Sequence, residues 1–288
     1  MTATAEGPPE NLSSLVGAEL PVAEFLWNSR DVSLYGLAVG ACVDGDPREL
    51  DLTWGAGGPK WVMPTFGVLA ARSHSLRHVA LPGFNLRSGT SLHAAHHLEV
   101  SPLRVPTSGR VISTGRVLQV TAGRRGAFVV RETVSHLDAL TGPVLWTNTV
   151  TSYIRGARAD VAAEPFVQPR LVAPEFVVAI PGLNQQALIY GLTGDDNPIH
   201  GDPASAHDAG FSRPILHGLC TLGQCVRVIL RHVSDSSWES LQSVGVRFLS
   251  PVLVGEPVTL LASPKEGAWQ FEAWTNRHVL SGELSLHQ

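Results

Sequence analysis

The chain repeats itself, and that repeat constrains its fold more than any single motif. Leu34-Tyr35-Gly36-Leu37 recurs as Ile189-Tyr190-Gly191-Leu192. Val62-Met63-Pro64-Thr65-Phe66-Gly67 stands where the later copy has Ile215-Leu216-His217-Gly218, and Ser101-Pro102 matches Ser250-Pro251. Identity is low but order is kept, the mark of two like units. Each unit reads as a helix followed by strands. Leu219, Leu222, Val226, Ile229 and Val233 make one apolar stripe at helical spacing. Val258–Leu261, Trp269–Trp274 and Val279–Leu286 are β-rich and partly alternating. In the first unit, Ala127–Leu137 and Val144–Ile154 flank a turn at Asp138–Gly142, which predicts a hairpin. A central helix followed by antiparallel strands predicts an α+β unit, a sheet wrapped around that helix. Two such units can pair edge to edge and protect their open edges.

The boundaries follow from breaks in the pattern. Residues 1–14 are polar, carry Pro8-Pro9 and read as a flexible tail. Residues 15–155 form the first unit. Residues 156–174, with Gly156, Pro165, Pro169 and Pro174, read as a linker. Residues 175–288 form the second unit. With 44% hydrophobic and only 16% charged residues the units can bury real cores. A net charge of −4 without a long basic run argues against nucleic acid as a partner. The uncharged apolar stretch Ser33–Val43 is too short to span a bilayer, and the N-terminus lacks the pattern of a signal peptide. Cys42, Cys220 and Cys225 are odd in number and show no metal-like spacing. Reduced thiols in the cytoplasm are therefore expected, with no membrane partner.

The segment Tyr190-Gly-Leu-Thr-Gly-Asp-Asp-Asn-Pro-Ile-His200 stands out. Gly, Asp, Asn and Pro also suit a plain turn. Two features point further. His200 follows Asp195 by five residues across a Pro-stiffened loop, so both can face one cavity. Arg213-Pro214-Ile215-Leu216-His217-Gly218 then leads straight into the apolar helix.

With these residues the chain resembles the MaoC-like (R)-specific enoyl-CoA hydratases, the hydratase 2 family. Their signature runs aromatic, two residues, small, Gly-Asp-x-Asn-Pro-aliphatic-His. Pro214-Ile-Leu-His-Gly-Leu-Cys-Thr221 is similar to that family's lead into its central helix. The resemblance covers both units. It implies a double hotdog fold in which the second unit alone keeps the catalytic signature. It also implies an acyl-CoA substrate, with an acyl carrier protein as the alternative carrier, and no cofactor or metal. Hydration needs water activated at C3, a proton delivered at C2 and a stabilised enolate-like oxygen. Asp195 and His200 can hold one water and divide the acid and base roles, either way round. Asn197 orients that water or the Asp195 side chain. The Gly218 N–H, at a helix N-terminus, binds the thioester oxygen. Tyr190, Gly194 and His217 are expected around the substrate. Arg213 and Arg247 are candidates for the coenzyme A phosphates, with solvated surface or ion pairs as the plainer alternative. Asp196 fills the motif's variable slot, and Asp202-Pro203 suits a structural turn as well as the family pattern.

The first unit departs from the signature. Extending the Tyr35/Tyr190 match without gaps sets Gly40, Cys42 and Gly45 opposite Asp195, Asn197 and His200, and Pro64-Thr65 replaces His217-Gly218. One site per chain is expected, with the first unit shaping the acyl pocket and His74 inside its central helix. His93, His96 and His97 cluster in sequence but lack the Cys or Asp of a metal set. In Leu92-His-Ala-Ala-His96, Ala95 replaces the acid of the family's Leu-His-Gly-Glu-Gln segment. A homodimer is expected. The competing functions are an acyl-carrier dehydratase, a non-catalytic acyl-CoA-binding scaffold and, less well matched, a hotdog thioesterase.

Overall fold

Both units build the same five-stranded antiparallel sheet, and the two sheets join into one. The computed structural model describes residues 11–55, 57–76, 91–164, 171, 173–233 and 238–287. The first unit contains β1 (Glu19–Trp27), α1 (Ser29–Ala38), β2 (Ser91–Val100), β3 (Gly109–Gly123), β4 (Gly126–Leu137) and β5 (Val144–Arg155). The second contains β6 (Phe176–Ile180), α2 (Gln186–Gly191), α3 (Pro203–Asp208), α4 (Gly218–Val233), β7 (Leu241–Phe248), β8 (Val258–Lys265), β9 (Ala268–Trp274) and β10 (His278–Leu286). The sheet runs β1-β3-β4-β5-β2-β7-β10-β9-β8-β6. Read from each outer edge inward, β1-β3-β4-β5-β2 and β6-β8-β9-β10-β7 have the same order. The repeat in sequence is thus a repeat in topology, and the molecule is a double hotdog. The joint is the antiparallel pairing of β2 with β7, from Ala95 opposite Arg247 to Glu99 opposite Ser243.

The expected strands and the hairpin across Asp138–Gly142 are in place. Each unit, however, opens with a strand rather than a helix. β1 carries Pro21, and its register against β3 shifts between Leu20 and Ala23. A proline is tolerated there because β1 is an outer edge. β6 is only five residues long and lies at the other edge. Such short or interrupted edge strands leave little pattern to read.

The two central segments differ. α4 is a 16-residue helix buried along most of its length, carrying the apolar stripe. Its counterpart, Pro64–His74, is a 3₁₀ segment rather than the expected helix. It is buried on nearly every side, including Thr65 and His74, so no 3.6-residue stripe is needed to seat it. The tail expected over 1–14 is partly tied down. Leu12 is buried, its N–H donates to the Arg158 carbonyl, and Asn11 donates to Asp160. Leu12 and Leu15 cover apolar side chains of β3 and β4, which holds this stretch in place. Residues 1–10 of the tail, and 165–170 and 172 of the linker, lie outside the described residues.

One ion pair locks the units together. Arg227 of α4 reaches into the first unit, donating to the Val39 carbonyl (3.0 Å) and pairing with Glu49; both side chains are at most 1% exposed. Glu49 also accepts from the Cys42 N–H at 2.6 Å. Removing Glu49 strands Arg227 as a buried charge, and removing Arg227 leaves the buried Glu49 with only the longer Arg231 contact at 3.4 Å. Glu49→Gln and Arg227→Met are each expected to cost about 3–5 kcal/mol, with the apolar double variant Glu49→Leu/Arg227→Met recovering much of it. Urea unfolding of the four proteins checks this; single variants within about 1 kcal/mol of the parent would refute the lock.

Candidate active site

The segment after α2 is shaped by its small and cyclic residues. Gly194 has φ +113° and lies against the Arg72 guanidinium, so a side chain there would be strained and would clash. Asp195 then accepts the Asn197 N–H at 3.2 Å, and a short 3₁₀ turn, Pro198–His200, follows. His200 donates Nδ1–H to the Ile215 carbonyl at 2.8 Å, so in the neutral ring the lone pair is on Nε2. Asp202 caps α3 through the Ala204 and Ser205 N–H groups, with Pro203 at the first helical position. For Asp202 the structure supports the structural reading. Gly218 opens α4 where Phe248 approaches so closely that an added Cβ would meet its ring at 2.9 Å.

These elements bring three side chains together. The Asp195 carboxylate and the imidazoles of His200 and His217 have donor atoms within 4.8 Å of one another. His217 Nε2 is 4.0 Å from the Asp195 carboxylate, and its ring stacks on His200 with centroids 3.6 Å apart. Burial alone would raise the Asp195 carboxyl. The His217 and His200 rings, the Asn197 N–H and the Arg72 guanidinium outweigh it and hold the group below the usual carboxylate range. His217 is shifted down as well: burial, then neighbouring His200, press it to about 3. It is therefore neutral near pH 7. Neither of its ring nitrogens has a hydrogen-bond partner among the described residues.

Asp195, Asn197, His200, His217 and Gly218 line one cavity of about 660 Å³. The first unit contributes Arg72, His93, His96 and Arg131 to the same walls. Sequence reasoning missed Arg72, Arg131 and Phe248, which sit in ordinary-looking segments, and met His93 and His96 as a metal question and as part of the segment matched to the family. His96 is buried and His93 half-buried, and they contact each other, Nδ1 to Nε2, at 3.3 Å. Burial holds them down to about 3 and about 4. His97 is turned to the opposite face, against Gly245, so the three do not converge. Ala95 also faces that outer side, away from the cavity.

Three of the expected substrate contacts lie outside the cavity walls. Tyr190 is buried behind His217 (ring centroids 4.8 Å) and does not reach the cavity; it backs the site. Arg213 is exposed and outside the cavity walls. Arg247 faces outward beside Ala95 in a groove of about 330 Å³, because strand alternation puts Val246 and Phe248 on the inner face instead. Gly194 acts through the backbone turn that presents Asp195.

The matching place in the first unit is an open surface groove lined by ion pairs. Gly40 lies against Arg227 and Gln224, Cys42 donates to Glu49, and Asp44 pairs with Arg231 at 2.6 Å. Structural ion pairs stand here in place of the carboxylate and imidazoles of the second unit.

Two hotdog units sharing one sheet, with a carboxylate–imidazole cleft in one of them among the described residues, define a double hotdog protein of the MaoC-like class. Residues 25–156 match the MFE-2 hydratase 2 N-terminal domain, and residues 166–272 match the MaoC like domain. Enoyl-CoA hydratase ChsH3 of Mycobacterium tuberculosis is 38% identical over 265 residues, 88% of either chain. The peroxisomal enoyl-CoA hydratase 2 of Arabidopsis thaliana is 32% identical over 266 residues, 85% of this chain and 84% of that one. A MaoC-like dehydratase from Phytophthora capsici shares the fold, with a TM-score of 0.80 at 22% identity over 96% of this chain and 97% of that one. The chain belongs to the MaoC-like enoyl-CoA hydratase 2 family.

The neutral His217 sets a pH dependence. An unfolded imidazole takes a proton near 6.5, whereas the folded one resists until about 3. Its contribution to stability is complete above pH 6.5 and is lost as pH falls from there toward 3, with His93 and His96 adding in the same direction. The expected slope approaches ~1.4 kcal/mol per pH unit for each such histidine. His217→Gln should flatten the decline between pH 6 and 4.5 in denaturant titrations; an unchanged slope would mean that folded His217 does take up the proton.

Proposed function

We infer that this chain adds water across the double bond of a trans-2-enoyl-CoA to give the (3R)-hydroxyacyl-CoA, and runs the reverse dehydration. The observation that carries the reading is the cleft itself: an ionised Asp195 and His200 with its lone pair on Nε2, brought together above the N-terminus of α4. Two acceptors facing each other hold one water by its two hydrogens. As the water oxygen bonds to C3, the pair takes one of its protons and returns one proton to C2. Atoms and charge then balance with no change of redox state. Negative charge grows on the thioester oxygen during the step. The Gly218 N–H is among the first four of α4, which no helical carbonyl can accept, and it points positive dipole at that oxygen. Asn197 anchors Asp195 through its backbone N–H. The chain is a hydro-lyase, and coenzyme A is carried as part of the substrate.

The reaction as written uses proton transfer only, and we propose that it needs no cofactor and no metal. Asp195, His200 and His217 would nonetheless suit a divalent ion by donor type. Activity retained after exhaustive treatment with chelator is the expected result; loss restored by a divalent cation would reverse this part.

No helix among the described residues is long and apolar enough to cross a membrane. The three free cysteines suit a reducing compartment, and the cytoplasm is the proposed location, to be checked by fractionation. The proposed homodimer would carry one complete site per chain, since both walls of each cavity come from one chain. Sedimentation of the purified protein tests it.

Asp195→Ala and His200→Ala should each lower turnover of crotonyl-CoA and longer enoyl-CoAs by about 10²-fold or more with the fold intact. Their combination should cost far less than the product of the two, because they act on one water. The enoyl absorbance gives the rate and chiral chromatography the product. Parental turnover in either folded variant, or a 3S product, would sink the reading.

A further inference from the structure

The acyl end of the cavity contains a buried cation that the hydration step does not use. Arg131 on β4 lines the cavity and is only 5% exposed. Among the described residues its acceptors are the His74 carbonyl and the Ser152 hydroxyl (3.2 Å), and its Nε–H has none. A guanidinium offers five N–H donors. No carboxylate pairs with it among the described residues, and the segment 77–90, which leads into β2, contains no Asp or Glu. Burial lowers it to about 10, so it is still a cation at neutral pH. The tether to His74 holds the end of the 3₁₀ segment, but a neutral donor would hold it as well. A buried charge without a counter-ion costs several kcal/mol. A charge kept at the wall of a substrate cavity is therefore best explained by a partner that arrives with the substrate.

Its position is set by register. Phe248 on β7 lies beside Gly218 and against His93, with ring centroids 4.9 Å apart. On the same face of the sheet, Val246 is opposite His96 on β2, His96 opposite Val150 on β5, and Val150 opposite Arg131 on β4. Three inter-strand steps of about 4.8 Å separate β7 from β4, roughly 14 Å. That is the reach of an extended chain of about ten carbons. Of the residues on that path His96 is polar and Val150 is apolar, and the His96 ring is held from behind the wall. His96 donates Nε2–H to Asn148 Oδ1 at 2.8 Å, and Asn148 donates to the Gly67 carbonyl at 3.2 Å.

We propose that the acyl group this enzyme takes carries an oxygen acceptor at its far end, a carboxylate before a ketone, and that Arg131 binds it. The proposal rests on the hydratase reading above. Arg131 acts on specificity and touches no reacting atom.

The test compares three trans-2-enoyl-CoAs of equal length, about ten to twelve carbons, ending in methyl, ketone or carboxylate. The wild-type protein should favour the carboxylate over the methyl end by about tenfold or more in kcat/KM, the worth of one charge-assisted hydrogen bond. In Arg131→Met that ratio should fall to about one, whatever the absolute rate. Arg131→Lys, which keeps the charge and loses the fork, should fall between and serves if the Met variant does not fold. A preference for the ketone over both others, lost in Arg131→Met, sustains the site with a neutral acceptor. Equal or better turnover of the methyl-ended substrate by the wild-type protein overturns the proposal, as does a carboxylate preference that survives Arg131→Met. Failure to hydrate any of the three, and crotonyl-CoA as well, would instead strike the hydratase reading.

Discussion

The antiparallel pairing of β2 with β7 is the contact on which the rest of this molecule depends. Each five-stranded half would end in an open edge without it. The pairing satisfies both edges at once and makes one sheet of ten strands. It also creates the cavity, because the cavity runs beneath the joint. Phe248, at the end of β7, packs on Gly218 of the second unit and on His93 of the first. The reactive residues come from one unit and much of the acyl wall from the other, so neither unit holds a site alone.

A twofold scaffold offers two equivalent places, and the chain uses them differently. Both units keep the tyrosine behind the loop, and the Tyr35 and Tyr190 rings meet at a tilt with centroids 6.1 Å apart. On one side the loop presents Asp195 and His200 to a cavity. On the other, Glu49, Arg227, Arg231 and Asp44 form ion pairs instead. The ion-paired side fixes the orientation of α4, whose first residue is Gly218. Its ion pairs thereby support the catalytic side from across the molecule.

The catalytic side depends on neutral histidines. His217, His93 and His96 are all held uncharged by burial. This leaves Asp195 as the anion of the cleft and Arg72 and Arg131 as cations along the cavity walls. Arg72 sits beside Asp195 at the reacting centre, whereas Arg131 places positive charge on the first unit's wall, three strands from β7.

The sequence alone determined the two-unit plan, α4, the hairpins and the loop carrying Asp195, Asn197 and His200. These features are local: a helical stripe, turn residues and a short motif are each set by neighbours a few positions away. What it left illegible is nonlocal. β1 and β6 are edge strands with weak pattern, and Pro64–His74 takes a 3₁₀ course because burial on every side, rather than its own periodicity, holds it. Strand alternation across the β2–β7 joint turned Arg247 and Ala95 outward, and packing behind His217 buried Tyr190. Arg72 and Arg131, far from the motif in sequence, came to line its cavity. Which side of a sheet a residue faces, and whether a buried charge finds a partner, depend on strands paired across dozens to well over a hundred positions, and only the tertiary structure decides that.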